Sequence, residues 1–434
     1  MAHRISRRDA LKAAGVGLGA LAGGQLLASC SSGLKGANTN SGPTTTLKIG
    51  YVSPQTGPLA SFATGDNYII NKLKPVLAKG FTAGGKTWNI EVVVKDSQST
   101  TTRTTEVTQA LINSDNVDLV VASATPDTAN PVSDTCEAAG IPNVTTIVPW
   151  EAWFFGRGKK AGEQFNYSTM FFFGLKEFTD LFAHMWQTIG VNSGPVACLW
   201  PNDTDANAFR AGFPPAVTPA GYSIVDGGAY SDGISDFSAQ IAKFKSSGAE
   251  LFTCAPIPPD FQTYWKQAAQ QGFKPKLATV AKVMLFPSEA VALGALSNNI
   301  ATDVWWSPFS PYKSTFDGTT AKQLADDFAT STGSQWTQAL GSVYSLFEIA
   351  VQALRSASDP RDRKDVADKL KHMKINGISG PLDFTTGPQP GIALQKICGG
   401  QWRPGTRFPW DMTIVDNTFD PAVPVNGTLR ATNA

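Results

Sequence analysis

The chain has 434 residues, with 36 lysines and arginines against 35 aspartates and glutamates, a formal charge of +1 and a hydrophobic share of 42%. This balance, with the basic residues scattered, excludes a nucleic-acid binder built on a phosphate-neutralising patch. Five cysteines and three histidines, widely spaced, form neither a CxxC nor an HExxH pattern, so no metal and no cofactor is expected.

Ser6 to Lys12 (SRRDALK) is charged, Ala13 to Leu27 is an apolar run rich in glycine and alanine, and Leu27-Ala28-Ser29-Cys30 ends it. A charged start, a short apolar run and small residues before a cut describe a secretory signal, since a membrane span needs roughly 18 or more apolar residues. Arg7 and Arg8 with Leu11 resemble the twin-arginine export signal, and LASC resembles the bacterial lipobox. That likeness implies a signal peptide over 1–29, lipidation of Cys30 and a membrane anchor outside the cytoplasm. Residues 30–46, rich in Ser, Gly, Asn and Thr, read as a flexible tether. What remains, about 390 residues, exceeds what one core usually supports, so two lobes are expected.

From Leu47 strand and helix alternate. LKIGYVS is strand-like, Leu59 to Leu77 carries a helix, WNIEVVVKD from Trp88 is a second strand, and Thr101 to Asn113 a second helix. Asp118 to Ala139 then reads as a buried strand, a polar turn and a helix. Leu119 to Ala122 is a continuous apolar run, as in a strand covered on both faces, and Ser123, Thr125, Asp127 and Thr128 crowd the turn. A helix starting near Thr128 leaves backbone N–H groups unpaired at its positive end, a seat for an anion just outside the carboxyl end of a strand. Ser and Thr before a helix are equally ordinary N-caps. Ile141 to Thr146 is a fourth strand. Val148 to Lys160 then breaks the rhythm with Trp150, Trp153, Phe154 and Phe155, as a lid, a partner surface or a core plug.

A second series follows: a helix over Phe172 to Gly190, the strand GPVACLW, a helix over Asp205 to Ala220, the strand YSIVDGG, and a helix over Asp236 to Ser247 with Phe237, Ile241 and Phe244 on one stripe. AELFTCAP, a helix from Pro259 to Gln271 and KLATVAKV continue it. After Trp305 and Trp306, three helices over Thr320–Thr330, Gly341–Ala357 and Arg361–Met373 suggest that the chain returns to the first lobe. Strands alternating with helices mean parallel sheets covered on both faces, an α/β fold. Cys136, Cys198, Cys254 and Cys398 read as structural, with a disulfide left open outside the cytoplasm.

LKIGYVSPQTGPLASFA, VVVKDSQST, LVVASATPDTANPVSDTCEAAGIPNVTT, YSDGISDFSAQIAKFKSSGAELF and QAAQQGFKPK, in this order, resemble the type I periplasmic binding proteins of ABC importers, in the branch named for leucine, isoleucine and valine binding. The resemblance runs from about Leu47 to Gly400. It implies two Rossmann-like lobes with parallel sheets, joined by three crossover strands and closing on a ligand. The expected division is 47–167 plus 311–377 for the first lobe, 168–310 plus 378–420 for the second, and a tail over 421–434. The family grips a ligand carboxylate with small hydroxyl residues and backbone amides, which fall on Ala124, Thr125 and Asp127; Thr145 and Thr146 take a second hydroxyl contact and Phe62 a bordering aromatic. In the second lobe the chain departs from the family. The loop after GPVACLW offers Pro201 to Asp205 rather than an aromatic. Near the family's acidic partner for a ligand ammonium stand Thr279 to Lys282, and a lysine repels an ammonium. Asp205, Lys282, Trp150 and Trp306 complete the candidate site.

None of the histidines, His3, His184 and His372, sits in a strand-end loop with a partner, and no nucleophile elbow or phosphate loop is present, so an enzyme is not expected. Aromatic residues at strand ends and crossovers suggest a cleft with apolar walls. The expected function is a substrate-binding lipoprotein that holds a small carboxylate or amide solute, amino-acid-like or an apolar or aromatic acid, and hands it to an ABC permease and ATPase complex. A surface-anchored sensor with the same cleft is the alternative, and an anchored hydrolase the less favoured one.

Overall fold

The structure is a computed structural model that describes residues 45–432. The export signal, Cys30 and the tether up to residue 44 lie outside the described residues.

Two seven-stranded sheets carry the two lobes. The first receives β1 (Thr45–Ser53), β2 (Phe81–Ala83), β3 (Lys86–Asp96), β4 (Leu119–Ser123), β5 (Asn143–Thr146) and β6 (Ser168–Phe171). The second receives β7 (Gly194–Leu199), β8 (Tyr222–Asp226), β9 (Leu251–Cys254), β10 (Leu277–Val280) and β11 (Ala301–Val304). A hairpin of β12 (Lys374–Gly377) and β13 (Gly380–Asp383) follows, and then β14 (Ile392–Ala393), β15 (Cys398–Pro404) and β16 (Trp410–Asp416). The strand orders are β14-β6-β5-β4-β1-β3-β2 and β16-β15-β11-β10-β9-β7-β8. Pairing is parallel in the middle of each sheet and antiparallel only for β2 on β3 and for β15 and β16 beside β11. β4, flanked by β1 and β5, is buried at every residue, so its sequence is continuously apolar instead of alternating.

The chain passes between the lobes three times, after β6, after β11 and after β14. The sequence reading places 168–310 and 378–420 in the second lobe. In the structure Ser168–Phe171 pairs with β5, and Ile392–Ala393 pairs with β6, both in the first sheet. These strands have four and two residues, too few for a period to show. The helix read over Phe172 to Gly190 accordingly starts later, at Leu175.

Three helices, Ala321–Thr332, Ala339–Ser356 and Arg363–Lys371, follow β11. The first lies on the first lobe, where Phe328 meets Tyr68 at 5.2 Å and Asp327 pairs with Lys72 at 2.8 Å. Ala339–Ser356 is buried along almost its whole length, the mark of a helix apolar all round. Its one buried acid, Glu348, accepts N–H groups from Thr315 at 2.6 Å and Ile378 at 3.0 Å. Buried charge is tolerated when hydrogen-bonded in this way.

Residues 148–160 pack as a plug around the helix Trp150–Phe154. Trp153 Nε1 donates to Ser133 Oγ at 3.0 Å, and the Arg157 guanidinium lies between the rings of Trp153 and Phe165, 4.6 and 3.7 Å from their centroids. Arg157 also pairs with Asp134 at 2.7 Å. Across the first crossing, Leu175 N–H donates to both oxygens of Glu151, at 3.0 and 2.9 Å. The plug thus ties the helix after β4 to the first helix of the second lobe. All four cysteines in the described residues are buried and free.

Candidate functional site

From the first lobe, β4 and β5 run side by side to Ser123 and Thr146. Beyond them the backbone takes an uncommon course: Ala124, Thr125 and Ile147 have φ of 69°, 59° and 58°. From the second lobe Lys282, just past β10, has φ of 63°. Left-handed backbone at residues other than glycine costs on the order of 1–3 kcal/mol each and gathers where function requires it. Thr125 is the sharpest case, a β-branched residue at φ 59°, ψ 160°, a region otherwise left to glycine.

The helix after β4 begins at Pro126, earlier than the sequence pattern places it, with proline in its first turn and no capping bond from Thr125. Proline fits there because it has no N–H to satisfy. The amides of Ala124 and Thr125 donate to the carbonyls of Thr146 and Ile147, at 3.4 and 3.1 Å, and those of Thr128 and Ala129 to the carbonyl of Thr125. The row of free amides expected at this helix start is therefore reduced to that of Asp127, whose own carboxylate stands in the first turn. Thr125 Oγ1 is buried without a hydrogen-bond partner. Buried hydroxyls are rarely left so, and this one is not serving as a cap.

The opposite wall comes from the helix Thr204–Val217. Its N-cap is Asp203, whose carboxylate accepts from Ala206 N–H at 2.7 Å. Lys282 Nζ lies 2.8 Å from Asp203 Oδ2 and 3.2 Å from Asp205 Oδ2, and the three side chains are 7, 13 and 8% exposed. Burial opposes the lysine charge, but Asp203 and Asp205 outweigh it and raise its pKa. Burial lifts Asp205 to about 6 in spite of Lys282, and also raises Asp127. Burial likewise pushes Asp303, at the end of β11, up to about 7. Asp205 Oδ1 and Trp305 Nε1 are buried without partners.

These groups gather about one small cavity between the lobes. Phe62, Thr125, Asp205 and Lys282 of the expected site line it, together with Ile147, Pro149, Phe172, Phe173, Phe178, Phe209, Leu285, Asp303 and Trp305. At its lip Phe62 meets Phe286 edge-on at 4.7 Å, and Ser61 Oγ donates to Glu289 Oε1 at 3.3 Å, so the lobes touch over the cavity. Ala124 is buried behind the lining and Asp127 reaches it through its charge on Lys282. The remaining candidates lie elsewhere. Thr145 and Thr146 are buried in the sheet, where Thr146 Oγ1 donates to Phe171 O at 2.8 Å. Trp150 meets Phe155 in the plug at 5.5 Å with the rings tilted by 55°. Trp306 donates from Nε1 to Ile378 O at 3.1 Å, facing away, while its neighbour Trp305 faces the cavity. Consecutive residues in extended chain point to opposite sides, which exchanges the two tryptophans. The missed aromatics Phe172 and Phe173 carry a signal in the run MFFFG, which begins in β6 and continues past its end.

A family model described as periplasmic binding protein matches residues 46–403 of the chain. No curated protein matches in sequence. Among solved structures, a leucine-binding protein LivK from Thermotoga maritima is 17% identical with a TM-score of 0.72, over 86% of this chain and 99% of that one. A branched-chain amino acid substrate-binding protein LivJ from Streptococcus pneumoniae, in complex with isoleucine, is 18% identical with a TM-score of 0.65, over 89% and 100%. A solute-binding protein of an ABC transporter from Rhodopseudomonas palustris, in complex with 3,4-dihydroxy benzoic acid, is 19% identical with a TM-score of 0.66, over 87% and 99%. These neighbours are solute-binding proteins and not enzymes. Matched over most of its length and folded into the same two lobes, the chain belongs to the periplasmic binding protein family.

Proposed function

We propose that this chain is the substrate-binding lipoprotein of an ABC importer, anchored outside the cytoplasm through Cys30. It holds a small solute, amino-acid-like, an amide, or an apolar or aromatic acid, in the cleft between the lobes and delivers it to a permease and ATPase complex. One observation carries this reading. Thr125 Oγ1 from the first lobe and Asp205 Oδ1 from the second are both buried, both unpartnered and both at the wall of one cavity with aromatic sides. Such a cavity, apolar with a few convergent polar atoms, suits a solute clamped by two lobes, and lobe closure gives a permease a shape to recognise.

Mass spectrometry of what copurifies with the mature chain, followed by a thermal-shift panel of small acids, amino acids and amides, tests the binding. A solute that raises the melting temperature and quenches or enhances tryptophan emission is expected; a panel with no response refutes the cleft. Delivery is tested by uptake in cells lacking the chain, and anchoring by Cys30→Ala, which should release the protein from the membrane fraction.

A further inference from the structure

Resting on that importer reading, we propose that the solute is an organic cation: a protonated amine on an apolar body, with a neutral oxygen acceptor beside it and no carboxylate. The closed cleft carries more acid than base. Asp127 from the first lobe and Asp203 and Asp205 from the second stand around Lys282, the one cation among the lining residues, and Asp303 lines the same cavity. Lys282 is already engaged by Asp203 at 2.8 Å and Asp205 at 3.2 Å, so carboxyl groups outnumber the one cation where water is largely excluded. Burial favours their neutral forms, and a bound cation would draw them to the charged form. Ionised carboxyl groups in such a place call for a counter-ion. Asp205, a lining residue 6% exposed, has one oxygen without a partner, and Asp303, 2% exposed, lines the same cavity.

At the start of the helix Pro126–Ala139, where a solute carboxylate would sit, it finds only the Asp127 amide and the Thr125 hydroxyl as unpartnered donors, both beside the Asp127 carboxylate. The amides of Ala124, Thr125, Thr128 and Ala129 all donate within the chain. Pro126 has no N–H, and Asp127 places its own carboxylate in that first turn. Trp305 Nε1 is buried, unpartnered and at the cavity wall, so it asks for an acceptor, which a carbonyl or hydroxyl supplies without adding negative charge. Phe172, Phe173 and Phe178, stacked on one another at 4.1 and 6.4 Å, line the wall and supply apolar surface for the body of the solute.

Two matched series test this on the mature chain, by calorimetric titration and thermal shift. Leucinamide, leucine and isocaproate share one body, phenylalaninamide, phenylalanine and hydrocinnamate another, and each runs from cation through zwitterion to anion. In at least one series the amide should bind roughly tenfold or more tighter than the amino acid, and the acid should not bind. Asp205→Asn should remove the preference for the cation, and Asp303→Asn should reduce it, with circular dichroism reporting that each variant is folded. Tighter binding of leucine, phenylalanine or either acid overturns the inference and leaves the importer reading intact. It falls also if no member of either series shifts the melting temperature, or if both variants keep the cation preference. The importer reading fails separately, if deletion of the chain leaves uptake unchanged.

Discussion

Replacing Lys282 by Met keeps most of the side-chain volume and removes the charge between Asp203 and Asp205. At 2.8 and 3.2 Å, each ion pair is worth about 5–6 kcal/mol of attraction at the dielectric suited to protein sites. Desolvation offsets much of that, and stripping one partner from a buried pair costs about 3–5 kcal/mol in practice. All three side chains are at most 13% exposed, so solvent does little to soften the loss. Urea unfolding of Lys282→Met should therefore show a deficit of about 3–5 kcal/mol at neutral pH. On the background Asp203→Asn with Asp205→Asn, the same change should cost less than about 1 kcal/mol. The pH dependence has a definite sign. The folded pKa of Asp205 is about 6, above the ordinary value near 3.9, so the native state binds the extra proton and stability is lost as pH rises through about 4 to 6. Without Lys282 the folded pKa rises further, so the deficit should shrink as pH falls towards 4. A deficit under about 1 kcal/mol, or one that does not depend on pH, refutes the ion triad as described.

Thr125→Gly should stabilise the fold by about 1–2 kcal/mol, because glycine adopts φ 59°, ψ 160° without strain, while weakening solute binding through the lost hydroxyl; equal or better binding would remove Thr125 from the site. Burial holds the Asp303 pKa near 7, above its unfolded value, so its stabilising share is lost as pH rises from about 4 to 7, and Asp303→Asn should flatten the stability curve in that window. Arg157→Ala should cost about 2–4 kcal/mol by emptying the space between Trp153 and Phe165, whereas Arg157→Met should stay within about 1 kcal/mol. Its partner Asp134 is 59% exposed and rehydrates, so an equal loss in both variants would show that charge, not packing, holds the plug. Trp305→Phe should remove most of the solute-dependent fluorescence change, and retention of the full signal would place the reporter elsewhere.

The fold was legible wherever an element was long enough to show its period. The continuous run of β4, the stripe Phe237, Ile241 and Phe244, and the three late helices all appear within a few residues of their expected places. The short strands β6 and β14 were not, since they exist only because a neighbour offers hydrogen bonds. Of the residues named from the family resemblance and from its departures in the second lobe, Phe62, Thr125, Asp205 and Lys282 line the cavity. Trp306 was named in place of Trp305 because the facing of one residue in a crossover depends on packing that no local pattern carries. Lys282 was recognised as a cation, but that it meets Asp203 and Asp205 is a long-range fact, and it reverses the conclusion drawn from the residue alone. A paired lysine does not repel an ammonium as a free one would.

The clasp at the first crossing sets where the cleft can open. A Cβ on Gly174 would lie 2.1 Å from Trp150 Nε1 and 2.7 Å from Glu151 Oε2, so the two lobes are pressed together there as closely as backbone allows. The contacts at the opposite rim are a ring edge at Phe62 and one long hydrogen bond from Ser61. The rim contacts are the weaker of the two, so lobe opening is expected to begin at Ser61 and Glu289 and to leave the clasp at Gly174 intact. Parting the rim would strip the Ser61 hydrogen bond from Glu289, which is 5% exposed in the closed form, and bring that carboxylate into contact with water.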